Sequence, residues 1–169
     1  MSDYTTEEIA ALLRRSYQAV DGLWFVIAEQ HHGFAEALAM DEEVWQVMPK
    51  IQARKAREIL GLAGGGLEAL ARCLGLKMAA EGNASEVHSE AGHLEIRLNR
   101  CTWHDALEKA QRLHLAKDIA RHICVNEAAG WAHEFGVQAC FDLDNSICGG
   151  GSCCRFVFSE ANTPPRGSG

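Results

Sequence analysis

The stretch "EGNASEVHSEAGHLEIRLNRC", Glu81 to Cys101, decides the fold class. Before it, apolar residues recur at three- and four-residue intervals. Within it Leu94, Ile96 and Leu98 alternate with polar residues, the period of a strand with one buried face. Ala91-Gly92 can close a hairpin, so strands are expected near 85–90 and 93–100.

Upstream the chain reads as helix. Thr5 with Glu8 forms a capping box, and Ile9, Leu12, Leu13, Ser16, Val20, Leu23 and Ile27 follow helical spacing over 5–31 until Gly33. A second helix is expected over about 34–60, with Phe34, Leu38, Val44, Trp45, Met48, Ile51 and Ile59 as its apolar stripe and Pro49 bending or restarting it. "GLAGGG" (61–66) lacks both the preceding strand and the following Lys-Ser/Thr of a phosphate loop, so it is a connector to a third helix over 66–80. Downstream, helical sequence runs from Trp103 to Phe135, followed by strand-like 136–143 and 153–160. The expected class is α+β, with a small antiparallel sheet. Residues 1–82 form a helical segment for packing and dimerisation, 83–160 an α+β domain carrying a cysteine site, and 161–169 a disordered tail.

Composition narrows the function. Hydrophobic content of 47% with 23% charged residues suits a globular protein, and a net charge of −7 disfavours nucleic-acid and anionic-membrane partners. The start of the chain has no signal-peptide pattern, and no apolar run approaches the roughly 18 residues of a membrane span. A cytoplasmic location is expected. Thiols stay reduced there, so seven cysteines point to metal ligands or reactive thiols rather than disulfides.

Strand parity and helix phase sort the thiols. Cys154 shares a face with Phe156 and Phe158 and points inward, whereas Cys153 falls with Arg155 and Val157. Cys140 lies opposite Val137, Ala139 and Phe141. Cys101 stands at a strand end, where alternation weakens. Breaking the 103–135 helix near His114–Lys117 puts Ile119, Ala120, Ile123, Cys124, Gly130, Trp131 and Phe135 on one face, with Glu127 at its centre. A carboxylate there is costly unless paired, protonated or metal-bound. The alternative is a surface ion pair from Glu127 to Arg121 or Lys117. Cys73 and Cys140 read as small apolar residues. "CTWH" (101–104) has ligand-like spacing, and Trp24, Phe25 and Trp45 suit a core or a dimer interface.

"LWFVIAEQHHGFAEALAMDEEVW" (23–45), "NRCTWHDALEKA" (99–110), a helical cysteine and a terminal Cys-(Gly-rich)-Cys-x-Phe-x-Phe together resemble a bacterial and archaeal family. That family is related in layout to L-2-amino-thiazoline-4-carboxylate hydrolase-like proteins and, remotely, to the 4-vinyl reductase ligand-binding domain. The resemblance implies functional thiols at Cys101, Cys124, Cys148 and Cys154, a small-molecule pocket and a homodimer. Two departures stand out: a terminal motif with Cys153 directly before Cys154 and "GGGS" in the preceding loop, and a second helix without an obvious further carboxylate pair.

Two functions compete. In a metal-dependent hydrolase of an amide-like or cyclic amidine substrate, Cys124, Cys148 and Cys154 hold zinc and Glu127 or His104 acts as general base. In a ligand sensor or binding module, four cysteines hold structural zinc, or iron in an iron–sulfur cluster. Cys140 or Cys153 can replace one ligand in either scheme. A redox set of Cys148, Cys153 and Cys154 lacks the C-x-x-C arrangement.

Overall fold

The computed structural model describes residues 3–160, so the expected tail at 161–169 lies outside the described residues. Five helices and four strands follow in the order α1 (Thr6–His32), α2 (Phe34–Ile59), α3 (Gly66–Glu81), β1 (Ser85–Glu90), β2 (His93–Leu98), α4 (Thr102–Lys109), α5 (Ala116–Phe135), β3 (Val137–Phe141) and β4 (Cys154–Glu160). Short 3-10 turns cover Leu113–Leu115 and Ile147–Gly149. The class is α+β.

The sheet is antiparallel throughout, in the order β1-β2-β4-β3. Its central register pairs Leu94 with Phe158, Ile96 with Phe156 and Leu98 with Cys154. Period-two alternation therefore puts all six on one buried face. α3 and α5 cover that face with Leu70, Leu74, Met78, Trp131 and Phe135, so one core draws on both the N-terminal helices and the C-terminal half.

Local signals fix the helix ends. Thr5 Oγ1 accepts from the Glu8 amide while the Glu8 carboxylate accepts from the Thr5 amide, closing the capping box. Pro49 neither ends nor restarts α2, which continues through it. The ring is buried against α5, where a Cβ on Gly130 would stand 2.8 Å from Pro49 Cβ. The long helical stretch breaks at Ala110–Arg112, where Gln111 has φ 59°, slightly earlier than expected. α2 buries Ala37, Leu38, Trp45, Pro49, Ala53 and Ala56, so small residues allow α5 close approach while Val44, Ile51 and Ile59 face solvent. Among the described residues no helix is long and apolar enough to cross a membrane.

α1 and α2 run antiparallel, with Phe25 edge-on to Phe34 and Asp21 near Asp41. Burial first, then the Asp21 charge, lifts the Asp41 carboxyl from 3.8 to about 6, against a hydrogen bond from Trp45. A raised carboxyl leaves the folded state unpenalised below 3.8 and fully penalised above about 6. Asp41→Asn is therefore expected to stabilise the protein by roughly 1–2 kcal/mol at pH 8, after allowing for solvent screening. Denaturant titration should show that gain vanish by about pH 3.5; an equal gain at both pH values contradicts the assignment.

Candidate functional site

Three glycines build the turn that carries Cys148. Buried Ser146 donates from Oγ to the Leu143 carbonyl (2.6 Å) and accepts from the Gly149 amide (3.1 Å). The Gly151 amide returns to the Ser146 carbonyl at 2.7 Å. A side chain at Gly149 would meet the carbonyls of Leu143 and Asp144, and one at Gly151 the Asn145 carbonyl. Gly150 has φ 97°, the left-handed region that glycine occupies without strain. The "CGGGS" sequence is thus a compact turn folded back on Leu143–Ser146.

That turn, the start of β4, the start of α4 and the middle of α5 converge. Cys154 faces inward as parity required and is 5% exposed, while Cys148, Cys124 and Cys101 are half-buried. Burial pushes the Cys148 thiol up to about 12, with Cys101 and Cys154 adding to the shift. Cys154 is pushed up to about 11, again by burial first, while the amides of Ile147 and Cys148 pull the other way. Cys124 rises well above the ordinary thiol range through burial, Glu127 and the thiols of Cys148, Cys101 and Cys154. Cys101 is raised by burial and opposed by the amides of His104 and Trp103, although it makes no full capping hydrogen bond to α4.

Cys124 thus feels the charge of the other three, Cys148 that of Cys101 and Cys154, and Cys154 that of Cys101. The sequence separates them by up to 53 positions (154 − 101), and the fold brings them into one neighbourhood. Among the described residues no three His, Cys, Asp or Glu side chains stand in the arrangement of a formed metal site. The thiols are neighbours without being drawn to a common point.

Beside them lies a buried ion cluster. Glu127 pairs with Lys77 of α3, not with Arg121 or Lys117, and Lys77 also reaches Glu81 at 3.0 Å. The three side chains are 13%, 8% and 5% exposed for Glu127, Lys77 and Glu81. Burial pulls the Lys77 ammonium down, but Glu127 and Glu81 outweigh it and hold the lysine charged. Burial raises the Glu81 carboxyl, Lys77 opposes that and Glu127 reinforces it. Asn83 donates to Glu81 (3.2 Å) and accepts from the Thr102 amide (3.0 Å), and Gln18 of α1 donates to the Thr102 hydroxyl (2.9 Å). Asn83 is thus a buried strut between the ion cluster and the first turn of α4.

The remaining candidates sit elsewhere. His104 presents its backbone amide to Cys101. Cys153 is half-buried just before β4, Cys140 is exposed and Cys73 belongs to the core. A concavity of about 600 Å³ lies on the other side of the sheet, lined by His88, Glu95, Cys140, Asp142, Arg155 and Val157 among others, and by none of the four converging thiols. A void of about 10 Å³ adjoins Glu127 and Trp131, room for no more than a water. Sequence reading missed Lys77, although its i, i+4 spacing to Glu81 along the apolar side of α3 was the available signal.

Residues 3–134 match the family of unknown function DUF6125, and the chain belongs to that family. The matched region holds Lys77, Glu81, Cys101, Cys124 and Glu127 and ends before Cys148 and Cys154. No curated protein and no solved structure matches the chain.

Removing the lysine charge leaves two buried carboxylates facing each other. Lys77→Met is expected to cost about 3–5 kcal/mol in denaturant unfolding at pH 7, and adding Glu127→Gln should recover part of it. A loss below about 1 kcal/mol would show that the cluster is solvated rather than structural.

Proposed function

We propose that this protein is a metal-stapled binding module in which Cys101, Cys124, Cys148 and Cys154 hold one zinc ion as thiolates. The observation that supports this is the convergence of the four thiols on Cys124, which senses the other three, while Cys148 and Cys154 both sense Cys101. Four buried thiols at ordinary pH are protonated and repel ionisation of one another; a dication reverses both effects. Amides aimed at Cys101 and Cys154 suit thiolate sulfur, because they stabilise the charge that a bound metal leaves on it. Four thiolates close a tetrahedral zinc site and leave no open position, the structural arrangement. Such a site ties the Cys148 turn and β4 to α4 and α5. Iron in the same thiols is the alternative occupant. The polar concavity on the outer sheet face, with Arg155, His88 and Asp142, is the place for a small polar ligand.

A catalytic reading follows from the likeness to thiazoline hydrolases and from Glu127 being the first charge that Cys124 senses. It gives the metal three thiolates and a water, with Glu127 or His104 as base. The Lys77 ion pair occupies Glu127, which favours the closed site.

Elemental analysis of protein purified without oxygen should find about one zinc per chain, and Cys124→Ser should lose it. Rebinding to the apoprotein at pH 7, followed by calorimetry in buffers of different ionisation enthalpy, should release about four protons, because burial holds all four thiols protonated. Affinity should rise with pH. No metal, or full zinc in Cys124→Ser, contradicts the proposal; three protons with hydrolysis of a cyclic amidine supports the catalytic reading.

A further inference from the structure

α1 is amphipathic in the wrong sense for a lone protomer. The side it packs on the body carries Arg14, Tyr17, Gln18 and Asp21: Arg14 donates to the Ala80 carbonyl (2.6 Å), Gln18 to Thr102, and Tyr17 meets Trp103 edge-on. The side it turns to solvent carries Ile9, Leu13, Val20, Leu23 and Ile27, at 47%, 64%, 58%, 60% and 48% exposure. With Ser16 these positions are spaced 4, 3, 4, 3 and 4, a heptad seam, flanked by Leu12 and Trp24 at 67% and 68%. α2 repeats the pattern: Met40, Val44, Val47 and Ile51 are exposed at spacings of 4, 3 and 4, opposite the buried Leu38, Trp45 and Pro49.

The area is large. At these exposures the two stripes present on the order of 1,000 Å² of apolar surface, against about 300–600 Å² for the largest patch on an ordinary monomer and about 800 Å² per partner in a standard interface. The charges beside the α2 seam are complementary under a two-fold axis. Glu43 and Lys50 stand one heptad apart on the same side of the Val44–Val47 stripe, and among the described residues neither has an intramolecular ion pair. An antiparallel crossing of two α2 helices places Glu43 of one copy beside Lys50 of the other.

We infer that the occupant of this face is a second copy of the chain, and that α1 and α2 of the two copies pack as a two-fold four-helix bundle. Heptad spacing on both antiparallel helices is what such a bundle requires, and no charge interrupts the α1 stripe. The inference is independent of the thiol site, which lies on the opposite side of α1 from the stripe.

Sedimentation equilibrium of the full chain from about 1 to about 50 µM, which reads dissociation constants on the order of micromolar, decides it. The wild type should be dimeric, and Val44→Glu/Val47→Glu should weaken association at least a hundredfold. Leu13→Gln/Leu23→Gln is a second pair on the other helix. All four side chains are exposed in the protomer, so helical circular dichroism should be retained. Glu43→Lys should weaken the dimer about tenfold, and Glu43→Lys/Lys50→Glu should restore it. A monomeric wild type, a dimer indifferent to both apolar pairs, or a double charge reversal no better than the single one overturns the inference.

Discussion

One ammonium between two carboxylates organises the middle of this fold. Lys77 stands on α3, Glu81 one turn later on the same helix, and Glu127 on α5, all out of water. Desolvating three charged groups costs several kcal/mol per ion before any attraction is counted, so the cluster is a source of specificity more than of net stability. It rejects any packing of α3 on α5 that separates the lysine from its partners. Glu81 extends the constraint through Asn83 to the Thr102 amide, which fixes where α4 begins. Cys101, immediately before that helix, is thereby set opposite Cys124, one turn from Glu127.

The thiol neighbourhood is assembled from the other side by steric exclusion. Gly149 and Gly151 have carbonyls where side chains would be, and Gly150 has a backbone that favours glycine. Ser146, fully buried, ties the turn to Leu143 and to its own glycines. Cys154 then enters the sheet opposite Leu98, on the inner face. Two independent devices, an ion cluster and a glycine turn, thus converge on the same four sulfurs.

Much of this is legible in the sequence. The capping box at Thr5 and Glu8, the hairpin at Ala91-Gly92 and the inward face of Cys154 follow from local chemistry and strand period, and all are seen. Helix phase put Cys124 and Glu127 on one interior face because the period holds across three residues. Lys77 escaped because an i, i+4 Lys-Glu pair ordinarily marks a solvated helix side; only its alignment with Leu70, Cys73 and Leu74 betrays burial. Periodicity makes α1 a helix with an apolar stripe but does not say what that stripe faces. The same blindness covers α2, whose alanines and proline are buried while its valines are not. Pro49 illustrates a tertiary override of the restart alternative: α2 continues through it, with its ring packed against Gly130.

The measurement that bears most directly on the central claim is zinc-edge X-ray absorption on the metallated protein. Four sulfur scatterers at about 2.3 Å are predicted, with no oxygen or nitrogen in the first shell. A first shell dominated by oxygen and nitrogen, or zinc that washes out before the spectrum can be recorded, would contradict it.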